Sequence, residues 1–186
     1  MKNAIIIHGT YGNPDENWFP WLKTELEKIG YQVYVPTFPT PENQNLESWL
    51  EVLGDLYSNI GAQTVLIGHS VGASFILSIL ESLDLPVRAA FLISGFLGLS
   101  GNEEFDNLNY SFTTRPLNWK KIRHNVGKIF IYHSNNDPYV PIEQARVLAR
   151  HLNTKPVIIE NGGHFNEKAG YKEFPRLLLD IKNLDN

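Results

Sequence analysis

Three side chains whose types suit nucleophilic catalysis each follow an apolar, strand-like run of the chain. Ser70 is the centre of Gly-His-Ser-Val-Gly at 68–72, Asp137 lies in a polar segment after a later run, and His164 lies in Gly-Gly-His-Phe at 162–165. A serine hydroxyl is a poor nucleophile until a histidine base, itself held by an acid, takes its proton. The chain order Ser, Asp, His therefore predicts acyl transfer through Ser70, Asp137 and His164.

The segment around Ser70 is typical of a nucleophile elbow. A β-branched run from Thr64 predicts a buried parallel strand, and helical periodicity begins directly after Gly72. A turn from strand to helix this sharp strains the central residue and brings neighbouring backbones close together. Residues without a Cβ are therefore favoured at 68 and 72. Ser70 is expected at the end of the sheet, over a helix N-terminus that favours negative charge.

Acyl transfer also requires an oxyanion hole with two backbone donors. The first is predicted to be the N–H of Val71, which follows the nucleophile. The second is expected from the loop after the first strand, where Thr10 is the first choice and Tyr11 the alternative. Gly9 and Gly12 would allow that loop to approach closely, although an ordinary turn also explains them.

Aromatic residues near these loops are candidates for the substrate pocket. Tyr11, Trp18 and Phe96 are taken as candidates to bind substrate, although core packing at the start of a helix is favoured for Trp18 over a place in the pocket. Residues 97–118 lack a regular pattern and are too long for an ordinary connection, so they are interpreted as a small lid or pocket wall. His69 is expected to point away from the Ser70 hydroxyl.

The catalytic residues must be positioned by alternating strands and helices. This alternation predicts a three-layer α/β/α sandwich with a doubly wound, mostly parallel sheet of about six strands, in the order 2-1-3-4-5-6. The order reverses beside the first strand, where such sheets bind ligands. A single domain over residues 1–186 is expected. Strands are predicted over 4–7, 31–35, 64–67, 87–93, 128–132 and 156–160, and helices over 18–29, 46–57, 73–83, 119–124, 141–152 and 171–184.

Composition excludes several other classes of protein. The chain has 186 residues, 42% hydrophobic and 19% charged, with a net charge of −4, so no basic surface for nucleic acid or membrane binding is expected. It contains no cysteine, which excludes disulfides and a cysteine nucleophile. No spacing suggests a metal site, and no cofactor is expected. The N-terminal apolar run is too short for a signal peptide, so a cytoplasmic protein is predicted. A monomer is expected for a chain of this small size.

The chain resembles the small serine hydrolases related to retinoblastoma-binding protein nine, a group of the α/β-hydrolase superfamily that includes bacterial YdeN-type proteins. The resemblance rests on His8-Gly9, on 17–22, 68–72 and 94–96, and on 136–141 and 162–165. It implies a minimal α/β-hydrolase fold without a large cap domain, and the same triad. The Leu-x-Cys-x-Glu element associated with retinoblastoma binding needs a cysteine, so that partner is not expected.

The leading hypothesis is a carboxylesterase-like serine hydrolase that acts on a small ester, thioester or amide. One alternative is a non-catalytic or regulatory binding protein on a hydrolase fold, because fold alone does not fix function. Another is perhydrolysis or lyase chemistry at the same serine. The sequence does not separate these reactions.

Overall fold

The structure, a computed structural model, describes residues 2–184 and contains six β-strands and seven α-helices in that range. The strands are β1 (Lys2–Ile7), β2 (Tyr31–Tyr34), β3 (Thr64–His69), β4 (Val87–Ile93), β5 (Val126–Ser134) and β6 (Pro156–Ile159). The helices are α1 (Phe19–Lys28), α2 (Leu46–Gly54), α3 (Val71–Ser82), α4 (Glu103–Thr113), α5 (Trp119–His124), α6 (Ile142–Leu152) and α7 (Pro175–Lys182). Each helix in this range is too short or too polar to cross a bilayer.

The six strands form one parallel sheet in the order β2-β1-β3-β4-β5-β6, which confirms the predicted fold class and strand order. Alternate residues of a strand face opposite sides of the sheet. In β1, Ile5 and Ile7 belong to the same buried cluster as residues of α2, α3 and α6, whereas Ala4 and Ile6 belong to the cluster that contains residues of α1 and α7. The sheet is therefore covered on both faces, as the three-layer prediction requires.

The centre of the molecule is β3 and the first part of α3. Every residue of β3 is buried, as are residues 71–80 of α3. A strand buried on both faces shows a continuous apolar run rather than alternation, which is why β3 could be identified from its sequence. The Ser70 turn therefore joins two fully enclosed elements and has little freedom to move.

The segment 97–118 is more ordered than its sequence suggested. It contains α4, which begins after Asn102, whose side chain accepts a hydrogen bond from the Phe105 N–H at 3.1 Å. Phe105, Leu108 and Phe112 lie on one helical face, and Phe112 is buried in the core. This short apolar stripe was missed because polar residues dominate the surrounding segment. α7 also begins at Pro175 instead of the predicted residue 171.

Candidate active site

Ser70 occupies the strained turn that the sequence predicted. Its backbone has φ 56° and ψ −124°, a conformation that side-chain-bearing residues rarely adopt. A Cβ at Gly68 would lie 2.5 Å from the Gly72 carbonyl oxygen, and a Cβ at Gly72 would lie 2.5 Å from that of His8. Glycine is therefore required at both positions, for the physical reason given by the sequence analysis.

The predicted acid and base are in direct contact. His164 Nδ1 lies 2.8 Å from Asp137 Oδ2. Because a carboxylate only accepts hydrogen bonds, the proton of a neutral His164 is on Nδ1. Nε2 is then left as a base, and it makes no hydrogen bond to another group within residues 2–184. Ser70 and His164 line the same cleft.

Asp137 is held as a carboxylate by a full set of donors. Its side chain has 0% exposure; Oδ2 also accepts from the Ser94 hydroxyl at 2.8 Å, and Oδ1 accepts from the N–H groups of Tyr139 and Val140 at 2.9 and 3.0 Å. Burial alone would raise the pKa of Asp137. The hydrogen bond from His164, the charge of that ring when it is protonated, and the two backbone donors outweigh burial and hold the pKa of Asp137 below its usual value.

His69 has a role that sequence reasoning missed. Its Nε2 lies 2.7 Å from the carbonyl oxygen of His164, so Nε2 carries the proton and donates it to that oxygen. Burial and the neighbouring His164 lower the pKa of His69 to about 3. A neutral His69 therefore anchors the backbone of His164, the candidate base. Its position next to Ser70 was visible in the sequence, but its partner is 95 residues away.

Two backbone N–H groups next to Ser70 are free to bind an oxyanion. Within residues 2–184, the N–H groups of Val71 and Thr10 donate to no protein acceptor. The N–H of Tyr11, the alternative donor, is already bonded to Thr40 Oγ1 at 2.7 Å. This arrangement favours the pair Val71 and Thr10 over a pair that includes Tyr11.

The peptide between Gly9 and Thr10 is fixed by His8. His8 Nε2 accepts from the Phe38 N–H at 3.0 Å, which leaves the proton on Nδ1 to donate to the Gly9 carbonyl oxygen at 2.8 Å. In a trans peptide the C=O and N–H point in opposite directions, so this bond also fixes the direction of the Thr10 N–H. A Cβ at Gly9 would lie 2.9 Å from the Cβ of Ser70, which puts this peptide directly against the nucleophile.

A cleft of about 790 Å³ opens above these groups, a volume typical of small-molecule sites. Ser70 and His164 lie in its lining together with aromatic and acidic side chains. Tyr11 is about half exposed there, and its hydroxyl donates to Glu104 Oε1 at 2.7 Å. The lining residues are Gly9, Thr10, Tyr11, Glu16, Asn17, His69, Ser70, Asn102, Glu104, Phe105, Tyr139, His164, Asn166, Glu167 and Lys168.

Comparison with known proteins establishes the family. A sequence model described as serine hydrolase matches residues 4–183. The chain belongs to the serine hydrolase family. This confirms the resemblance inferred from the motifs.

Relatives of this serine hydrolase cover nearly its whole length. YdeN of Bacillus subtilis (strain 168) is 31% identical over 183 residues, which is 97% of this chain and 94% of YdeN. The serine hydrolase RBBP9 of Rattus norvegicus is 28% identical over 184 residues, again 97% of this chain and 94% of its own. The crystal structure of the B. subtilis ydeN gene product superposes with a TM-score of 0.92 at 28% identity, covering 99% of this chain and 98% of that one.

Two residues expected at the substrate pocket of this serine hydrolase lie elsewhere. Trp18 is fully buried, and its indole N–H donates to the carbonyl oxygen of Phe165 at 2.9 Å, so it supports the backbone that follows His164. Phe96 is also buried and packs 5.9 Å from the ring of Phe105. Tyr11 does line the cleft, and Phe105 replaces Phe96 at its wall because α4 brings it there.

Proposed function

We propose that this serine hydrolase cleaves small carboxyl esters, thioesters or amides by acyl transfer, in the manner of a carboxylesterase. Ser70 is the nucleophile, His164 the general base and acid, and Asp137 the residue that orients His164. The observation that carries the proposal is the 2.8 Å contact between His164 Nδ1 and Asp137 Oδ2. It leaves Nε2 unprotonated in the cleft that also contains the Ser70 hydroxyl.

The reaction follows from this proton arrangement. Nε2 of His164 takes the Ser70 proton as Oγ attacks the substrate carbonyl carbon, and the imidazolium that forms is stabilised by the charge of Asp137. The tetrahedral intermediate then expels its leaving group, which receives the proton from Nε2. A water molecule next gives a proton to Nε2 as its oxygen attacks the acyl-enzyme carbonyl carbon. The second tetrahedral intermediate then breaks its bond to Ser70 Oγ, which takes the proton back from Nε2, and the carboxylic acid leaves.

The negative charge of the intermediate would be bound by the N–H groups of Val71 and Thr10. Both donors belong to ordered backbone, one at the N-terminus of α3 and one in the peptide fixed by His8. Groups that are already oriented need no reorganisation as the charge develops, so they stabilise the transition state more than they stabilise the substrate.

Small substrates are favoured by the volume of the cleft. Esters are the first to test because their carbonyl carbon is more electrophilic than that of an amide, and because an alkoxide leaves more easily than an amide anion. Phe105 and Tyr139 offer apolar surface beside Ser70, and we infer that they contact the acyl or alcohol group together with Tyr11. Residues 97–118 act as one wall of the pocket in this proposal, rather than as a large cap.

The test is intact-protein mass spectrometry after incubation with a fluorophosphonate probe, with the Ser70→Ala variant as its control. One adduct on the wild type and none on the variant supports the proposal, and a p-nitrophenyl ester series then ranks acyl chains. If folded wild-type protein gains no adduct, Ser70 is not an activated nucleophile. The binding-protein hypothesis from the sequence would then replace this one.

The single domain, the monomeric state and the cytoplasmic location remain predictions from the sequence.

A further inference from the structure

We propose that Gln44 is a positioning residue that holds the oxyanion loop, residues 9–12, in its catalytic conformation. Gln44 lies between β2 and α2, far from the triad in sequence, and is 7% exposed. The inference rests on the proposed function, because it assigns a role in stabilising the same oxyanion. It concerns two groups of the loop that make no contact with His8: the Thr10 side chain and the Tyr11 N–H.

The carboxamide of Gln44 binds the Thr10 side chain directly and reaches the Tyr11 N–H through Thr40. Its Nε2 donates to Thr10 Oγ1 at 2.9 Å, and its Oε1 accepts from the Thr40 hydroxyl at 2.5 Å. Thr40 Oγ1 in turn accepts the Tyr11 N–H at 2.7 Å. One buried side chain therefore controls two consecutive residues of the loop, one directly and one through a hydroxyl.

The direction of every bond in this network is fixed by chemistry. Asn109 Nδ2 donates to the Phe105 carbonyl at 2.7 Å, so Asn109 Oδ1 faces the network as an acceptor. Oδ1 accepts from the Thr10 hydroxyl at 2.8 Å and from Gln44 Nε2 at 3.0 Å, and the Leu108 carbonyl lies 3.3 Å from the same Nε2. If Gln44 were turned over, its oxygen would face two acceptors. Only the amide of a glutamine in this orientation satisfies the site.

The network also connects the oxyanion loop to α4. Asn109 is fully buried on that helix, and Thr10 Oγ1 bonds to it across 99 residues of sequence. Unpaired polar groups are costly when buried, so the four side chains hold one another in a single arrangement. This arrangement leaves the Tyr11 N–H occupied and the Thr10 N–H free, which is the state that the oxyanion hole requires.

Removal of the carboxamide should therefore reduce catalysis without affecting substrate binding. In a Gln44→Met variant, a side chain of similar volume removes one hydrogen-bond partner from each of the Thr10 and Thr40 hydroxyls, while Thr10 keeps Asn109 and Thr40 keeps the Tyr11 N–H. The His8 bond still holds the Gly9 carbonyl, but the Thr10 side chain and Tyr11 are less restrained, so the Thr10 N–H points at the oxyanion for a smaller fraction of the time. Complete loss of one such donor costs about 10²- to 10³-fold in kcat, so a loosened donor should cost about 10- to 100-fold. KM should change by less than about 3-fold, because the donor acts mainly in the transition state.

The matched control is Asn125→Leu. Asn125 is also a buried carboxamide, and its Nδ2 donates to the carbonyls of Leu80 and Leu83 at 2.8 and 2.7 Å. It precedes β5, at the edge of the sheet opposite to the catalytic loops. Both variants should lose stability in chemical denaturation, but only Gln44→Met should lose kcat. The Thr10→Ser and Thr10→Val pair adds a rescue test, since serine keeps the hydroxyl that Gln44 binds and valine does not.

The assays are steady-state kinetics on the best p-nitrophenyl ester and the second-order rate of fluorophosphonate labelling. A fall in kcat and labelling rate in Gln44→Met, absent from Asn125→Leu, supports the proposal. Equal rates in wild type and Gln44→Met, or an equal fall in both buried-amide variants, overturn it while leaving the serine hydrolase mechanism intact. Wild-type protein that never labels at Ser70 overturns the mechanism and this inference together.

Discussion

Replacement of Asp137 by asparagine should reverse the proton arrangement of the catalytic histidine. In the native site, Oδ1 accepts two backbone N–H groups, from Tyr139 and Val140, at 2.9 and 3.0 Å. An amide nitrogen cannot occupy that place, because it would face two donors. The oxygen of an Asp137→Asn side chain must therefore stay there, and its NH₂ group must take the place of Oδ2, opposite Ser94 and His164.

The new amide group donates where the carboxylate accepted. The Ser94 hydroxyl can rotate and accept, but Nδ1 of His164 can accept only by giving up its proton. The proton then resides on Nε2, the atom that must receive the Ser70 proton. The variant also lacks the charge that stabilises the imidazolium. A change of this kind costs about 10⁴-fold in kcat, which corresponds to about 5 kcal/mol in the activation free energy.

The assay is kcat for a short-chain p-nitrophenyl ester, with the tautomer of His164 read from its ring nitrogens by NMR. Asp106→Asn is the control for replacing a hydrogen-bonded carboxylate outside the Asp137–His164 pair, since Asp106 accepts one backbone N–H group on each oxygen, from Ser100 at 2.6 Å and from Gly101 at 2.9 Å. That variant should keep nearly full activity. An Asp137→Asn enzyme within 10-fold of wild type, or one that keeps its proton on Nδ1, would refute the reasoning.

Three further outcomes are expected. Gly72→Ala should fail to fold stably, because the new Cβ would lie 2.5 Å from a backbone carbonyl oxygen, whereas Gly61→Ala, with no atom within 4 Å, should melt close to wild type. Ser94→Ala should lower kcat by about 10-fold or less, because three of the four hydrogen bonds to Asp137 remain. Burial lowers the pKa of His69 to about 3 in the folded protein, against about 6.5 in the unfolded chain. Between pH 6.5 and pH 3 the unfolded chain therefore binds more protons, so the free energy of unfolding should fall as the pH is lowered through this range. In urea denaturation at pH 7 and pH 5, His69→Gln should reduce this dependence by at most about 1.4 kcal/mol per pH unit.

The parts of the site that the sequence predicts are those fixed by short segments of chain. Gly68, Ser70 and Gly72 belong to one strand-turn-helix unit, and its geometry excludes larger residues at the two glycines. Asp137 and His164 could be selected because parallel strands end at one edge of the sheet, so loops after later strands meet there. Periodicity and chain order were sufficient to place these residues, and their catalytic roles stay predictions.

The pocket residues depend on contacts that no local pattern encodes. Trp18 and Phe96 are aromatic and close in sequence to catalytic loops, yet both are buried in the core. Phe105 reaches the cleft because Asn102 starts a helix in a segment rich in polar residues. A large aromatic residue is stabilised by burial wherever space exists, so residue type and proximity in sequence do not identify the pocket wall.

Gln44 illustrates the same limit for polar residues. From its sequence, a glutamine two residues before a helix is expected at the surface, because most glutamines are exposed. The Gln44 carboxamide binds three side chains at sequence separations of 4, 34 and 65 residues. Each partner presents a donor to the carboxamide oxygen or an acceptor to its nitrogen. Only a folded chain brings Thr10, Thr40 and Asn109 to one point. The proposed oxyanion donors therefore lie in a short segment of chain, but the contacts that support this segment come from distant parts of the sequence. If the proposed mechanism holds, substitutions far from Ser70, Asp137 and His164 in sequence should affect the transition state through these contacts.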